Sequence, residues 1–138
     1  MYVDASAIVA ILARESDASD LLVVLERSDP AQRKTSPVAV FEAVFGIARI
    51  FHCSIADARV AVYDFLEEAE IAIESVNKAH AELAILAMER FGKGRHPAAL
   101  NMGDCFGYAV ARAARIPILF KGDDFSRTDL RLACVAKP

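Results

Sequence analysis

Apolar side chains recur at the spacing of an amphipathic helix in six segments of the chain, which predicts six helices. The predicted helices cover residues 5–14, 18–27, 38–51, 55–70, 78–91 and 103–115. Residues that commonly cap helix N-termini precede four of them, namely Asp17, Ser36, Ser54 and Asn77. Gly92 follows the fifth helix, where glycine commonly ends a helix.

Short apolar segments between these helices predict five strands, at residues 2–3, 33–35, 71–73, 117–120 and 132–135. Strands that alternate with helices indicate an α/β fold. We therefore expect three layers, α/β/α, with a mostly parallel five-stranded sheet and helices on both faces. In open sheets of this kind, ligands bind outside the carboxyl ends of the strands, so chemistry is expected there.

The composition fits one compact domain. The chain has 138 residues, 55 % hydrophobic and 25 % charged, with no internal repeat or composition shift, so we expect a single domain over residues 1–138. No segment reaches the ~18 apolar residues that would span a membrane. The charged residue Asp4 lies where a signal peptide would need an apolar run. A cytoplasmic protein is expected.

Cys53, Cys105 and Cys134 lack the spacing of a zinc site or disulfide framework and suit a reducing compartment.

The net charge of −3 argues against an ordinary nucleic-acid-binding protein, because such proteins are usually basic. The acidity has two interpretations. It is either spread over the surface or concentrated in a site that holds a cation.

Carboxylates occur close to the predicted strand ends. Asp4 ends the first strand, Glu42 lies in the helix after the second, Asp104 begins the sixth helix, and Asp123 and Asp124 follow the fourth strand. Each has a structural explanation when taken singly, such as a helix cap, a favourable helix-dipole position or a turn. Glu42 is the most informative, because it interrupts an apolar run and a buried charge without a partner is costly.

Carboxylates that converge on one crevice repel one another unless a cation neutralises them. Ligation by oxygen alone suits Mg²⁺ or Mn²⁺. Such a site activates water for in-line attack on phosphorus, and a second ion could stabilise the leaving oxygen. Ser6 lies two residues after Asp4, so its hydroxyl either hydrogen-bonds that carboxylate or a metal-bound water, or is an ordinary first-turn serine.

Three segments resemble a known family. Residues 1–7 (MYVDASA), 92–106 (GKGRHPAALNMGDCF) and 119–130 (LFKGDDFSRTDL), together with Glu42, are similar to PIN-domain ribonucleases of the VapC type, the toxins of VapBC toxin–antitoxin pairs. The resemblance runs in order along essentially the whole chain. It implies a PIN-like α/β/α fold.

The resemblance also implies a site and an activity. Its acidic site falls on Asp4, Glu42 and Asp104 as metal ligands, with a fourth acid at Asp123 or Asp124. The implied activity is that of a Mg²⁺- or Mn²⁺-dependent endoribonuclease that cleaves structured RNA such as tRNA or rRNA. The implied partners are the RNA substrate, a second copy of the chain in a homodimer, and a VapB-type antitoxin that blocks the site.

Further residues of the matching segments are expected to assist. Ser6 and Thr128 would support the acids. A basic group precedes Asp104 and comprises Lys93, Arg95 and His96. Basic side chains there could bind RNA phosphates. A second basic group, near the aspartate pair, comprises Lys121, Arg127 and Arg131. A solvated basic loop is the alternative for Arg95 and Arg131.

Two other function classes are to be weighed. A phosphatase of the haloacid-dehalogenase type also has an aspartate after its first strand, but it needs a second aspartate two residues later, where this chain has Ser6. A catalytically silent PIN-like module that only binds partners would be marked by the loss of an acid, and none is lost here.

Overall fold

A short parallel sheet lies at the centre of the computed structural model, which describes residues 1–133. Its strands are β1 (Tyr2–Val3), β2 (Lys34–Thr35), β3 (Ala72–Ile73) and β4 (Ile118–Leu119). They are arranged in the order β3-β2-β1-β4, with every pair parallel. The predicted α/β class and parallel sheet are therefore confirmed.

The described sheet has four strands where the sequence predicts five. Within the predicted fifth strand, Leu132 forms a single parallel bridge to Ile118. Residues 134–138 lie outside the described part of the chain, and with them the rest of that prediction and Cys134. Cys53 and Cys105 are free thiols.

All six predicted helices are present. They are α1 (Ala5–Leu12), α2 (Ala18–Glu26), α3 (Pro37–Phe51), α4 (Ile55–Glu68), α5 (Lys78–Phe91) and α6 (Met102–Ala114). Two short 3₁₀ turns cover Pro30–Gln32 and Phe125–Arg127. Within residues 1–133, no helix is both long enough and apolar enough to cross a membrane.

Strand β1 occupies an interior position in the sheet, between β2 and β4. Tyr2 is in register with Lys34 and with Ile118, and the hydroxyl of Thr35 donates a 2.8 Å hydrogen bond to the carbonyl of Val3. Because all strands are parallel, the residues that follow them meet at one edge of the sheet, here called the carboxyl edge.

Two aromatic residues of α3 depart from the sequence pattern. Helical periodicity places Phe41 and Phe45 on one apolar stripe with Val44, but the two rings are 62 % and 49 % exposed and pack on each other with centroids 4.6 Å apart. The buried face of α3 instead carries small and branched side chains, including Ala43 and Val44. Helix α3 has two apolar stripes, and α1 and α6 pack against the one with smaller side chains.

The N-cap of α2 also differs from expectation. Asp17 stands at the predicted N-cap position, but its side chain makes no capping hydrogen bond. Its Oδ1 instead lies 3.4 Å from the ammonium nitrogen of Lys121, which follows β4. The side chain of Asp17 therefore forms an ion pair with Lys121 in place of a capping hydrogen bond.

Candidate active site

Asp4 lies at the carboxyl edge of the sheet, directly after β1, where it is the N-cap of α1. Its Oδ2 accepts hydrogen bonds from the backbone amide of Ser6 at 3.0 Å and from the Ser6 hydroxyl at 2.6 Å. The residue is only 4 % exposed. Burial raises the pKa of Asp4, hydrogen bonds from Ser6 and Ala5 oppose that shift, and the charge of Asp124 adds to it. Asp4 is thus a helix cap and a buried carboxylate at the predicted site.

Ser6 links Asp4 to the loop that follows β4. Its hydroxyl donates to Asp4 and accepts a 3.0 Å hydrogen bond from the backbone amide of Lys121. Of the alternatives that the sequence left open, direct hydrogen bonding to Asp4 is the one observed. The hydroxyl therefore orients this carboxylate relative to β4.

Glu42 reaches the site from the middle of α3 because α6 has a glycine opposite it. A Cβ atom added at Gly103 would clash with the carboxylate of Glu42, which would have to move away from its present position. Burial raises the pKa of Glu42 to about 7, and the charges of Asp4 and Asp104 contribute. Helical spacing predicts Glu42 on one face with Phe45, and a buried face is contradicted because that ring is exposed. The site lies on the α6 side of α3.

Asp104 lies in the first turn of α6 and forms a capping box with Asn101. The amide of Asn101 donates to Oδ2 of Asp104 at 2.9 Å, and the amide of Asp104 donates to Oδ1 of Asn101 at 2.9 Å. Burial raises the pKa of Asp104 to about 6; the Asn101 hydrogen bond opposes the shift, and the charges of Asp4 and Asp124 add to it. Asp104 therefore caps a helix and also faces the other acids.

The structure distinguishes the two adjacent aspartates after β4. The charge of Asp124 acts on both Asp4 and Asp104, as their raised pKa values reflect. The backbone carbonyl of Asp123 accepts a 2.5 Å hydrogen bond from the Ser126 hydroxyl. Four carboxylates therefore form what is here called the acid cluster: Asp4, Glu42, Asp104 and Asp124.

The donor set of the acid cluster fits a divalent cation. The charges of neighbouring carboxylates add to burial in raising the pKa values of Asp4, Glu42 and Asp104, and a bound cation would relieve that repulsion. All donors are oxygen atoms, which is typical of Mg²⁺ and Mn²⁺ sites. Over residues 1–133, however, no three acidic, histidine or cysteine side chains already surround one point.

Sequence reasoning missed residues that shape the acid cluster without being acidic. Tyr2 is buried beside the acid cluster. Burial raises the pKa of its phenol, and the charges of Asp4 and Glu42 raise it further. Gly107 lies one turn after Gly103, and a Cβ there would lie 3.1 Å from Tyr2 Cε1 and 3.3 Å from Asp4 Oδ1. The four-residue spacing of the two glycines was a readable signal of close approach on one helix face.

The other predicted supporting residues have local partners. The hydroxyl of Thr128 donates to the carbonyl of Phe125 at 2.8 Å, inside the second 3₁₀ turn. Nδ1 of His96 accepts from the amide of Ala98 at 3.1 Å. Lys121 pairs through its ammonium group with Glu15 as well as Asp17.

Two predicted phosphate-binding residues are exposed. Lys93 and Arg95 flank Gly94 in the loop that leads to α6, and Gly94 has a φ of +84°, which favours glycine. The loop returns to the fold through a parallel bridge between Gly92 and Leu100. These two cations are therefore held on the approach to Asp104, with their side chains in solvent.

The family is shown by comparison with known proteins. The family model of the PIN domain matches residues 1–130. The chain therefore belongs to the PIN domain family.

Its relatives are VapC ribonucleases, as the resemblance of the three sequence segments implied. Over 135 residues the chain is 42 % identical to "Ribonuclease VapC42" of Mycobacterium tuberculosis, covering 97 % of this chain and 99 % of that protein. It is 38 % identical to "Ribonuclease VapC" of Mycolicibacterium smegmatis, covering 94 % and 97 %. A VapC ribonuclease of Rhizobium meliloti is 36 % identical, with 94 % and 98 % covered. The predicted resemblance to the VapC type is confirmed.

A solved structure has the same fold. The chain matches M. tuberculosis VapC20, described as a sarcin-ricin loop cleaving toxin, with a TM-score of 0.76 over 97 % of this chain and 98 % of that one. At 18 % sequence identity, this likeness concerns the fold alone. The predicted three-layer PIN-like fold is therefore confirmed, apart from the strand count.

Proposed function

We propose that this protein is an endoribonuclease toxin of the VapC type, which cleaves structured RNA such as tRNA or rRNA with the help of Mg²⁺ or Mn²⁺. The observation that carries the proposal is the acid cluster at the carboxyl edge of the sheet. There the residue after β1, α3 and α6 each supply a carboxylate whose pKa is raised by burial and by the charges of neighbouring acids. Relatives named as VapC ribonucleases support the same activity.

Asp4, Glu42 and Asp104 would hold the metal, and Asp124 would be the fourth acid. When bound, a divalent ion lowers the pKa of a water molecule and stabilises negative charge at the phosphodiester. The chain's own contribution is orientation. Ser6 fixes one oxygen of Asp4, Asn101 fixes one oxygen of Asp104, and Gly103 leaves the space into which Glu42 extends.

The RNA would approach from the loop that precedes α6. Lys93 and Arg95 are exposed there, close in sequence to Asp104, and cations beside an acidic centre can hold the phosphates that flank the scissile bond. His96 and Lys121 remain candidates for the same role, although both have partners within the protein. Thr128 and Asp123 would act by shaping the loop that carries Asp124.

The exposed apolar surface supports the proposed protein partners. A groove between α3 and α4 is lined by Phe41, Phe45, Ile55 and Tyr63, all largely exposed. Large contiguous apolar patches usually mark interfaces. We expect one such surface to form the homodimer and another to receive a helix of a VapB-type antitoxin. An antitoxin arginine or lysine near Asp4 and Asp104 would neutralise the acid cluster.

The decisive test maps the 5′ ends of cellular RNAs after brief expression of the protein, beside the matched variant Asp104→Asn. New ends at a restricted site in a structured RNA are expected with the parent chain only. Purified protein should cleave the same site, lose activity in EDTA and regain it with Mg²⁺ or Mn²⁺. Full cleavage in excess chelator would overturn the metal mechanism, and identical ends from the variant would overturn the assignment of Asp104.

A further inference from the structure

A cavity of about 600 Å³ lies at the C-terminal end of α6. The residues that matter among those lining it are Leu83, Arg112, Arg115, Ile116, Asp129 and Arg131. Here it is called the arginine cavity. Asp104 and Arg115 are eleven residues apart on or beside α6, so the rise of the helix separates them by roughly 16 Å. The arginine cavity is therefore distinct from the acid cluster and lies towards the opposite edge of the sheet.

The arginine cavity carries an excess of positive charge in a chain whose net charge is −3. Its acid is Asp129, which accepts a 2.7 Å hydrogen bond from Tyr108. The same carboxylate lies 3.4 Å from Arg90 and 3.8 Å from Arg112. In residues 1–133, Arg115 and Arg131 form no salt bridge. The cavity lining thus carries three guanidinium groups and one carboxylate, and that carboxylate pairs with Arg112 and with Arg90, which lies outside the lining.

Stabilisation of the helix end accounts for only part of this charge. Arg112 in the last turn complements the helix dipole, and Arg131 donates a hydrogen bond to the carbonyl of Arg115. Arg115 itself is the C-cap in a left-handed conformation with φ of 55°, a position at which glycine or asparagine is usual. Its charge also complements the helix dipole, but its guanidinium group, like that of Arg131, has no carboxylate partner within residues 1–133.

The chemistry of the cavity suits a phosphate ester. A guanidinium group presents a planar fork of donors that matches phosphate oxygens, and several guanidinium groups that line one open cavity can share one phosphate. Leu83 and Ile116 supply an apolar wall on which a ribose can rest.

We propose that the arginine cavity is a second RNA-binding site, which takes a backbone phosphate of the substrate at a distance from the scissile bond. This inference rests on the proposed ribonuclease function. At a rise of 3.4 Å per nucleotide along one strand, roughly 16 Å corresponds to about five nucleotides. A structured RNA can bridge that distance, whereas a fragment of two or three nucleotides around the cleavage site cannot.

The test measures RNA affinity in the absence of metal, in a chain made inactive by Asp104→Asn. In that background, Arg115→Gln and the double variant Arg112→Gln/Arg115→Gln are compared with the matched control Arg49→Gln. Arg49 is likewise exposed in the last turn of a helix, but lies on α3. Arg115→Gln leaves the contacts of Asp129 intact, so folding, checked by thermal melting, is expected to be preserved.

The double variant is expected to bind a structured RNA about tenfold more weakly than the control. The loss of one phosphate contact should also reduce the slope of log affinity against log salt by roughly 0.7–0.9. The loss of affinity should be smaller for a short RNA fragment that contains only the cleavage site. Equal affinity and slope in the variants and the control would overturn the second site alone, and an equal loss with the short fragment would overturn its remote location. Failure of the Asp104→Asn parent to bind structured RNA would contradict the ribonuclease proposal itself.

Discussion

The phenolic oxygen of Tyr2 lies 2.9 Å from the hydroxyl oxygen of Ser36, and both residues are fully buried. Ser36 also accepts a 3.1 Å hydrogen bond from the amide of Ala39, which makes it the N-cap of α3. Tyr2 is two residues before Asp4, and α3 carries Glu42. This one contact therefore joins the strand that bears the first acid to the helix that bears the second.

Replacement of Tyr2 by phenylalanine should lower the free energy of unfolding by about 1 kcal/mol, because it removes a buried hydrogen bond and keeps the ring. Urea denaturation measures the change. Tyr63→Phe is the matched control, since that phenol is 41 % exposed and should be close to neutral. A double-mutant cycle with Ser36→Ala should give a coupling of about 0.5–1 kcal/mol. Zero coupling would mean that the contact does not join β1 to α3.

Asp104→Asn should stabilise the metal-free protein while abolishing cleavage. Asparagine keeps an oxygen that can accept from Asn101, and it removes a negative charge from the acid cluster, where burial raises the pKa of Asp104 to about 6. A rise in Tm of about 4 °C is expected, which is about 1 kcal/mol for a domain of this size. Asp57→Asn is the control, because Asp57 also lies in the first turn of a helix after a capping serine, but is exposed. That substitution should lower Tm slightly through the helix dipole. An Asp104→Asn protein that is active and less stable would show Asp104 to be a cap only.

The stability of the metal-free protein should fall as pH rises towards neutrality. The folded-state pKa of Glu42 is about 7, above its ordinary value of 4.5, so folding favours the protonated form. The stability that protonated Glu42 contributes to the folded state is fully present below about pH 4.5 and is lost as pH rises through 7. Glu42→Gln removes it, so the stability advantage of the variant over the parent should grow between pH 4.5 and 7 and then level off. Urea midpoints measured in chelator test this, and a difference that is constant with pH would be inconsistent with a raised pKa.

Two lysines of the matching segments should differ in their contribution to RNA binding. Lys93 is exposed, whereas the ammonium group of Lys121 pairs with Glu15 and Asp17. Lys93→Ala should weaken RNA binding and reduce the salt slope by about 0.7–0.9, as expected for one phosphate contact. Lys121→Ala should change the slope less, because its charge is already compensated. Filter binding at several salt concentrations measures both. A larger effect at Lys121 would mean that RNA displaces its two carboxylate partners.

Helix positions and the family were determined by the sequence itself. Apolar periodicity and capping residues act over a few positions, so the capping roles of Ser36 and Asn77 and the ends of the helices followed closely from local pattern. The three matching segments identified the VapC type, and with it the candidate acids. The single-domain assignment and the metal ligands remain predictions.

Tertiary structure decided the features that depend on distant residues. Asp17 turned from its helix cap towards Lys121, which lies more than a hundred residues later, because attraction between opposite charges does not depend on sequence distance. The exposure of Phe41 depends on which apolar stripe of α3 packs against α1 and α6.

The acid cluster, too, was predicted only in part from the sequence. The sequence supplied five candidate carboxylates, but it left two adjacent aspartates equivalent, and only the path of the loop after β4 brought the charge of Asp124 to bear on Asp4 and Asp104. The closeness of Glu42 to α6 depends on the missing side chain of Gly103. Pattern specifies which residue types are present, whereas burial and mutual repulsion, which shift pKa values, arise only when separate elements pack together.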